Sequence, residues 1–147
     1  METLITGTKK SKIYTDSVKI RYQVFVEEQK VPISLEIDEN EGFCIYFVMY
    51  DDDKVAVATA RLLPNDRQSN TVTLQRMAVL KEYRGLGYGR QMIEIVEKHI
   101  KEQHFSKIIL HAQLSAKAFY IKMRYVPYGA EFEEAGLRHI CMRKWIL

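Results

Sequence analysis

The segment Arg84-Gly85-Leu86-Gly87-Tyr88-Gly89-Arg90 constrains this chain more than any other. It follows an apolar run, Thr71–Leu80, that reads as a strand. It opens a stretch in which Tyr88, Met92, Ile95, Val96 and His99 share one helical face. Glycines let successive backbone N–H groups turn toward one point without Cβ interference. A helix N-terminus adds unsatisfied donors and a partial positive charge, so the unit is a ready cradle for phosphate oxygens. Arg84 and Arg90 can add cationic hydrogen bonds. A glycine-rich turn with no ligand has the same local composition and stays open as a reading.

Two familiar phosphate loops fit poorly. A Walker loop ends in Gly-Lys-Ser/Thr, whereas Arg90 follows Gly89 here. A Rossmann fingerprint spaces its glycines Gly-x-Gly-x-x-Gly in the first βα unit; this loop reads Gly-x-Gly-x-Gly and lies past mid-chain. Elsewhere, residues 2–8 read as a short strand and residues 43–50 as a buried one. Asp51-Asp52-Asp53 reads as a turn into a strand over Lys54–Leu63, which ends at Pro64, so the two form a hairpin. Lys107–His111 is a β-rich run, Ala116–Met123 is helical in composition, and Phe132 and Ile140–Trp145 suit two closing strands. Residues 14–29 are ambiguous. Val18, Ile20, Tyr22, Val24 and Val26 alternate as in a strand, while Val18, Tyr22, Phe25 and Gln29 trace a helical stripe. The sum is a mixed α/β domain over residues 1–147 whose middle reads strand, glycine loop, helix, strand, helix.

Composition narrows the function classes. With 47% apolar residues the chain can bury a core without disulfides, so Cys44 and Cys141 read as two buried thiols. No Cys/His spacing suits zinc, and no metal is expected. No apolar run approaches the roughly 18 residues a membrane span needs. The opening residues lack the plan of a secretory signal, so a cytoplasmic protein with no membrane partner is expected. A net charge of +3 suits an anionic ligand but is too small, and too scattered, to predict nucleic acid as a partner.

Arg84-Gly85-Leu86-Gly87-Tyr88-Gly89 fits Arg/Gln-x-x-Gly-x-Gly/Ala, the acetyl-CoA signature of the GNAT acetyltransferases, and the chain resembles that superfamily over nearly its whole length. Leu74–Val79 looks like the family's fourth strand, helix 88–102 like the helix that carries the pyrophosphate, and Ala116-Lys117-Ala118-Phe119-Tyr120 like the segment ending in a tyrosine near the thioester sulfur. Arg21–Gln29, Glu36-Ile37-Asp38, Arg61-Leu62-Leu63-Pro64, His111-Ala112-Gln113 and Glu134–Met142 are similar to the ElaA/YjcF-like branch. The resemblance implies a mixed, mostly antiparallel central sheet with helices on both faces and splayed fourth and fifth strands, and it makes residues 14–29 helical. Two positions depart from the family. Arg124 stands where glycine is usual, which costs strain if its φ is positive. Gln113 stands where Asn is common, so its cofactor contact can differ.

By the same resemblance, acetyl-CoA is the co-substrate, held by Met77, Ala78, Val79, the loop Arg84–Arg90 (Arg84, Gly85, Leu86, Gly87, Tyr88, Gly89, Arg90), Gln113, Phe119 and Tyr120. The Met77 N–H is placed to meet the acetyl oxygen, and Tyr120 is the candidate general acid for the departing thiolate. An amine with an ordinary pKa near 10.4 must lose a proton before attack. Glu28 is the leading candidate base, with Glu27, His111 and His139 as others and a water chain as a substitute for them all. The acidic run Glu36–Glu41 would attract a cationic amine if it rims the acceptor cleft; otherwise it is a solvated loop. The expected reaction is transfer to a primary amine, with a small-molecule acceptor and a homodimer as the expected partners. A non-catalytic acyl-CoA-binding domain and a protein lysine or N-terminal acetyltransferase remain alternatives.

Overall fold

A computed structural model of the protein describes residues 1–65 and 70–146. The elements run β1 (Glu2–Thr6), α1 (Lys12–Arg21), α2 (Ile33–Glu36), β2 (Ile45–Tyr50), β3 (Ala56–Pro64), β4 (Thr71–Val79), α3 (Tyr88–Glu102), β5 (Lys107–Gln113), α4 (Lys117–Lys122), β6 (Val126–Glu134) and β7 (Leu137–Trp145). The strands form one sheet in the order β1-β2-β3-β4-β5-β7-β6. All pairs are antiparallel except β4 with β5, whose crossover is α3, as a parallel pair requires. The Asp51 carboxylate accepts the N–H groups of Asp53 and Val55, both at 2.9 Å, and so closes the expected β2–β3 hairpin.

Helices cover both faces of the sheet. On one face Met92, Ile93, Val96 and Ile100 of α3 pack on Phe47, Leu74, Ile108 and Leu110. Each such side chain is worth about 1.5–3 kcal/mol on full burial. The buried stripe of α3 is therefore centred on Met92, Ile93, Val96 and Ile100, with Tyr88, Ile95 and His99 at its margins. On the other face Ile20, Val24 and Phe25 pack on Val48, Tyr50 and Ala78.

The ambiguous segment 14–29 is helical, but not uniformly. Ser11 caps α1, its hydroxyl accepting the Ile13 N–H at 3.1 Å. After Arg21 the helix widens into a π-helix over Tyr22–Glu28, and the Gln29 N–H reaches the Val24 carbonyl at 3.1 Å. The inward stripe is Ser17, Ile20 and Arg21 of α1, continued by Val24 and Phe25 of the π-helix. It leaves Tyr22, which the expected stripe included, 42% exposed. Cys44 is buried, whereas Cys141 is only half-buried; both are free thiols. Among the described residues no helix is long and apolar enough to cross a membrane.

Candidate active site

The site begins where the sheet comes apart. Strands β4 and β5 pair only from Thr71 with Lys107 to Leu74 with Leu110. Beyond that register Gln75–Val79 and His111–Gln113 diverge. A bulge opens at the same place: Gln75 sits opposite Arg61 and Ala78 opposite Thr59, so Arg76 and Met77 together face one residue of β3. Arg76 takes φ 54° there. The Leu80 N–H bonds the Val57 carbonyl at 2.9 Å, which sets the phase of the ladder. Ala78 therefore turns its backbone groups toward β3, while Met77 and Val79 turn theirs into the gap. The Val79 carbonyl is engaged there by Arg84 Nε at 2.9 Å.

The gap is a cleft of about 640 Å³ lined by Met77, Ala78, Val79, Arg84, Gln113 and Tyr120 among others. Directly after Arg84, Gly85 and Gly87 adopt φ 77° and 87°, a region that other residues enter at a cost. Gly87 is the N-cap of α3, with no side chain capping the helix. The N–H groups of the first turn, from Tyr88 through Gly89 and Arg90, thus face outward from a glycine corner. A Cβ on Gly89 would stand 3.4 Å from Phe119 Cζ and 3.7 Å from Met77 Cε. Phe119 therefore buttresses the loop from below rather than lining the cleft. Leu86 is exposed at the tip, and Arg90 pairs with Glu94 along the helix at 3.1 Å.

Tyr120 is 7% exposed, and burial pushes its phenol well above the ordinary value. Its ring meets Phe119 and Tyr125 edge-on, with centroids 5.0 and 5.6 Å apart. Its hydroxyl has no hydrogen-bond partner among the described residues, yet no side-chain oxygen there is both sealed off and unpaired. The hydroxyl therefore looks into the cleft it lines.

Glu28 is not a free carboxylate. Arg84 Nη1 and Nη2 grip it at 2.6 and 2.7 Å, and these hydrogen bonds hold its carboxyl below the usual range. A carboxylate so held is a weaker base than the sequence reading required. Gln113 is likewise occupied: its Nε2 donates to Gln29 Oε1 at 2.9 Å, and Gln29 Nε2 returns a bond of 3.3 Å. This amide pair crosses the cleft from β5 to the end of the π-helix.

The acidic run Glu36–Glu41 is neither a solvated loop nor a net negative rim. Glu36 and Glu41 are 3% exposed. Glu41 takes Arg21 Nη1 at 2.8 Å, Arg21 Nη2 at 2.9 Å and Arg61 Nη1 at 2.8 Å. Arg21 Nε reaches Glu36 at 2.7 Å, and Arg61 Nη2 reaches Asp38 at 2.9 Å. Arg76, at the bulge, pairs with Glu36 at 3.1 Å and with Asp38 at 3.2 Å. Three guanidinium groups thus face three carboxylates. Burial alone would raise the Glu41 carboxyl, but the bonds from Arg21 prevail and hold it far below the ordinary range. For Glu36 burial wins over Arg76 and Arg21, and its carboxyl lies above the ordinary value. Sequence reasoning missed Arg21, Arg61, Arg76 and Gln29 as members of the site, because their partners lie far away in the chain. The sequence signal for Arg21, Gln29 and Arg61 is the branch resemblance of Arg21–Gln29 and Arg61-Leu62-Leu63-Pro64, which assigns them no partners.

His111 and His139 meet at the far side of the cleft. Both approach Glu134, His111 Nδ1 at 3.0 Å and His139 Nε2 at 3.7 Å. The ring of Phe132 lies between them, 5.2 Å from the His111 centroid and 5.8 Å from that of His139.

The splayed parallel pair, the bulge and the glycine-cornered helix together define an acetyltransferase scaffold. The model of the acetyltransferase (GNAT) domain matches residues 12–146, and the chain belongs to that family. Within the family it stands in the ElaA/YjcF-like branch. It is 38% identical over 130 residues to YjcF of Bacillus subtilis, an uncharacterized N-acetyltransferase, covering 88% of this chain and 90% of that one. The crystal structure of Escherichia coli ElaA superposes with a TM-score of 0.85 at 26% identity, covering 97% of this chain and 98% of that one. An acyl-CoA N-acyltransferase from Pseudomonas aeruginosa shares the fold, with a TM-score of 0.84 at 24% identity over 97% of this chain and 98% of its own.

Proposed function

We propose that this acetyltransferase moves the acetyl group of acetyl-CoA directly onto a primary amine of a small acceptor. The observation that carries the reading is the Tyr120 hydroxyl, which lines the same cleft as the open edge of β4 and has no partner among the described residues. Acetyl-CoA supplies the activated acetyl group. The open backbone groups of Met77 and the Val79 N–H are suited to an extended amide-bearing arm, and the Met77 N–H to the acetyl oxygen, where negative charge grows during attack. The glycine corner at Gly85 and Gly87 and the first turn of α3 suit a pyrophosphate. Arg84 joins them by exchanging Glu28 for phosphate oxygens. Tyr120, kept protonated by burial, gives its proton to the departing thiolate. The reading carries with it a cytoplasmic location, no metal, no nucleic-acid or membrane partner, and a homodimer.

The test is thermal stability with acetyl-CoA, CoA, ATP and NAD added separately. A ligand at about 100 times its dissociation constant adds roughly 2.7 kcal/mol. Stabilisation by both CoA species and by neither nucleotide is expected. Equal stabilisation by ATP, or none by CoA, would overturn the reading. Turnover with any amine then separates an enzyme from a domain that only binds acyl-CoA.

A further inference from the structure

The geometry points to the His111–Glu134–His139 cluster as the place where the acceptor's ammonium group is bound and its proton removed, with His139 Nε2 as the proton acceptor. This deepens the acetyl-transfer reading and rests on it.

All three residues line the cleft that also holds Met77 and Tyr120. His111 is the first residue of β5 beyond the last register paired with β4, so it stands at the fork itself. His139 pairs with Gln113 across β5–β7 and with Phe132 across β6–β7, and Glu134 follows two residues after Phe132. Along β5 the buried residues Ile108, Leu110 and Ala112 face α3, so His111 and Gln113 face the α1 side. Tyr120 belongs to the α3 layer. A proton donor and the histidines thus approach the cleft from opposite faces of the sheet. Direct transfer needs this arrangement, with base on the amine side and acid on the sulfur side.

The hydrogen bonds assign the tautomers. His139 Nδ1 lies 2.8 Å from the Leu137 carbonyl, which can only accept, so Nδ1 carries the hydrogen. The Nε2 of the neutral ring is then a lone pair. His111 Nδ1 donates in the same sense to the Glu134 carboxylate, leaving its Nε2 free as well. His139 is 6% exposed, whereas Glu134 is half-exposed. A proton taken up by His139 Nε2 finds the Glu134 carboxylate at 3.7 Å to compensate its charge and an exit to solvent beside it. Among the described residues no group of three or more His, Cys, Asp or Glu side chains is arranged to hold a metal ion. The other charges that border the cleft are Glu36, Asp38, Arg76 and Arg84. The first three belong to the balanced set of three guanidinium groups and three carboxylates completed by Arg21, Arg61 and Glu41, and Arg84 is held by Glu28.

The protons balance. The acceptor arrives as an ammonium ion and loses one proton to His139 Nε2. Its nitrogen lone pair forms the bond to the acetyl carbon, and the carbon–sulfur bond breaks with its electron pair on sulfur. Tyr120 gives that sulfur a proton, and the second N–H proton, released as the amide forms, restores the phenol. One proton leaves through His139 and Glu134. The same surroundings define the acceptor class. Both arginines bordering the cleft are committed to carboxylates, while Val24, Phe25, Val31 and Leu35 offer apolar flanks. The acceptor is a primary alkyl amine on an apolar body that carries no carboxylate.

The experiment measures acetyl-CoA binding by calorimetry and acetyl transfer to 2-phenylethylamine, butylamine and phenylalanine. It uses the wild type, His139→Gln, Glu134→Gln and His111→Gln. The expected result is transfer to the two simple amines at least tenfold better than to phenylalanine. His139→Gln should lower kcat/KM for amine by 10²-fold or more, Glu134→Gln by about tenfold and His111→Gln by less, all with acetyl-CoA affinity unchanged. The His139→Gln deficit should shrink as pH rises and more amine arrives already neutral. Glu134 is half-exposed, so Glu134→Gln keeps the test valid if the His139 variant melts early. Failure of the wild type to bind acetyl-CoA would sink the parent reading. Binding with no transfer to either simple amine, equal use of phenylalanine, or His139→Gln and Glu134→Gln rates within threefold of wild type would overturn this assignment alone.

Discussion

Replacing Glu41 by Gln should cost about 3–5 kcal/mol of stability. Glu41 accepts three guanidinium bonds of 2.8–2.9 Å from Arg21 and Arg61, a bond from the Asp38 N–H at 3.1 Å, and the hydroxyls of Tyr46 and Tyr14 at 3.0 and 3.2 Å. Both arginines are fully buried, so neutralising Glu41 leaves cationic charge in the interior with one counter-ion too few. Breaking a buried pair from one side costs about 3–5 kcal/mol. Total stability for a chain of this size is about 7–20 kcal/mol, so the variant should still fold. Its melting temperature should drop by about 6–20 °C. Urea unfolding at pH 7 measures the loss, and Glu39→Gln, in the same acidic run but exposed, is the control, expected to change stability by under about 0.5 kcal/mol. The pH dependence has a definite sign. A carboxyl depressed in the folded state contributes stability that is fully present above the ordinary carboxylate value and is lost as pH falls through the folded one. Glu36 is raised and works in the opposite sense, so the net slope is set by the larger Glu41 shift. Wild type should lose stability steeply below about pH 4, the ordinary carboxylate value, and Glu41→Gln should be flatter there. A loss below about 1 kcal/mol with an unchanged acid limb would show that the network is not what holds residues 36–41 in place.

Three further outcomes are expected. Tyr120→Phe should lower kcat by roughly 10²-fold while acetyl-CoA affinity and melting temperature stay put, because the hydroxyl has no partner to lose among the described residues; unchanged turnover would remove Tyr120 from the mechanism. Arg124 has φ 72° at the end of α4, where the Tyr125 N–H reaches the Tyr120 carbonyl and the Arg124 N–H that of Ile121, both at 2.9 Å. Arg124→Gly should therefore stabilise by about 0.5–1 kcal/mol net of glycine's extra freedom when unfolded, and a lower melting temperature would refute the strain. Glu28→Gln should release Arg84 and tighten acetyl-CoA binding by roughly two- to fivefold, the worth of an exposed ion pair, whereas a hundredfold loss of rate would return Glu28 to the role of base.

Local signals were legible in the sequence. Helix α3 runs from Tyr88 to Glu102, the expected 88–102, because a glycine corner starts it and a 3.6-residue period sustains it. The hairpin was legible because Asp51 makes its own turn. The π-turn over Tyr22–Glu28 was not, since an inserted residue leaves no mark in a pattern of Val and Phe that already fits strand or helix. The charge of residues 36–41 was plain, but its neutralisation was not, because Arg21, Arg61 and Arg76 come from α1, β3 and β4. Glu134 escaped notice as part of the site for the same reason: only the return of the β6–β7 hairpin brings it to His111.

The buried network and the site are parts of one device. Arg76 is the bulge residue that swings Met77 into the gap, and its guanidinium also binds the carbonyls of Leu35 and Glu36, at 3.2 and 3.3 Å. The C-terminal end of α2 is thereby pinned to the residue that opens β4. A regular strand at Arg76 would pair Met77 differently and remove the arginine from Glu36 and Asp38. The αL conformation of Arg76 costs of order 1–3 kcal/mol, and ion pairs to Glu36 and Asp38 are what can offset it. Cleft geometry and the position of Leu35–Asp38 therefore stand or fall together, a coupling that an apolar plug of equal volume would not supply even where it served stability as well.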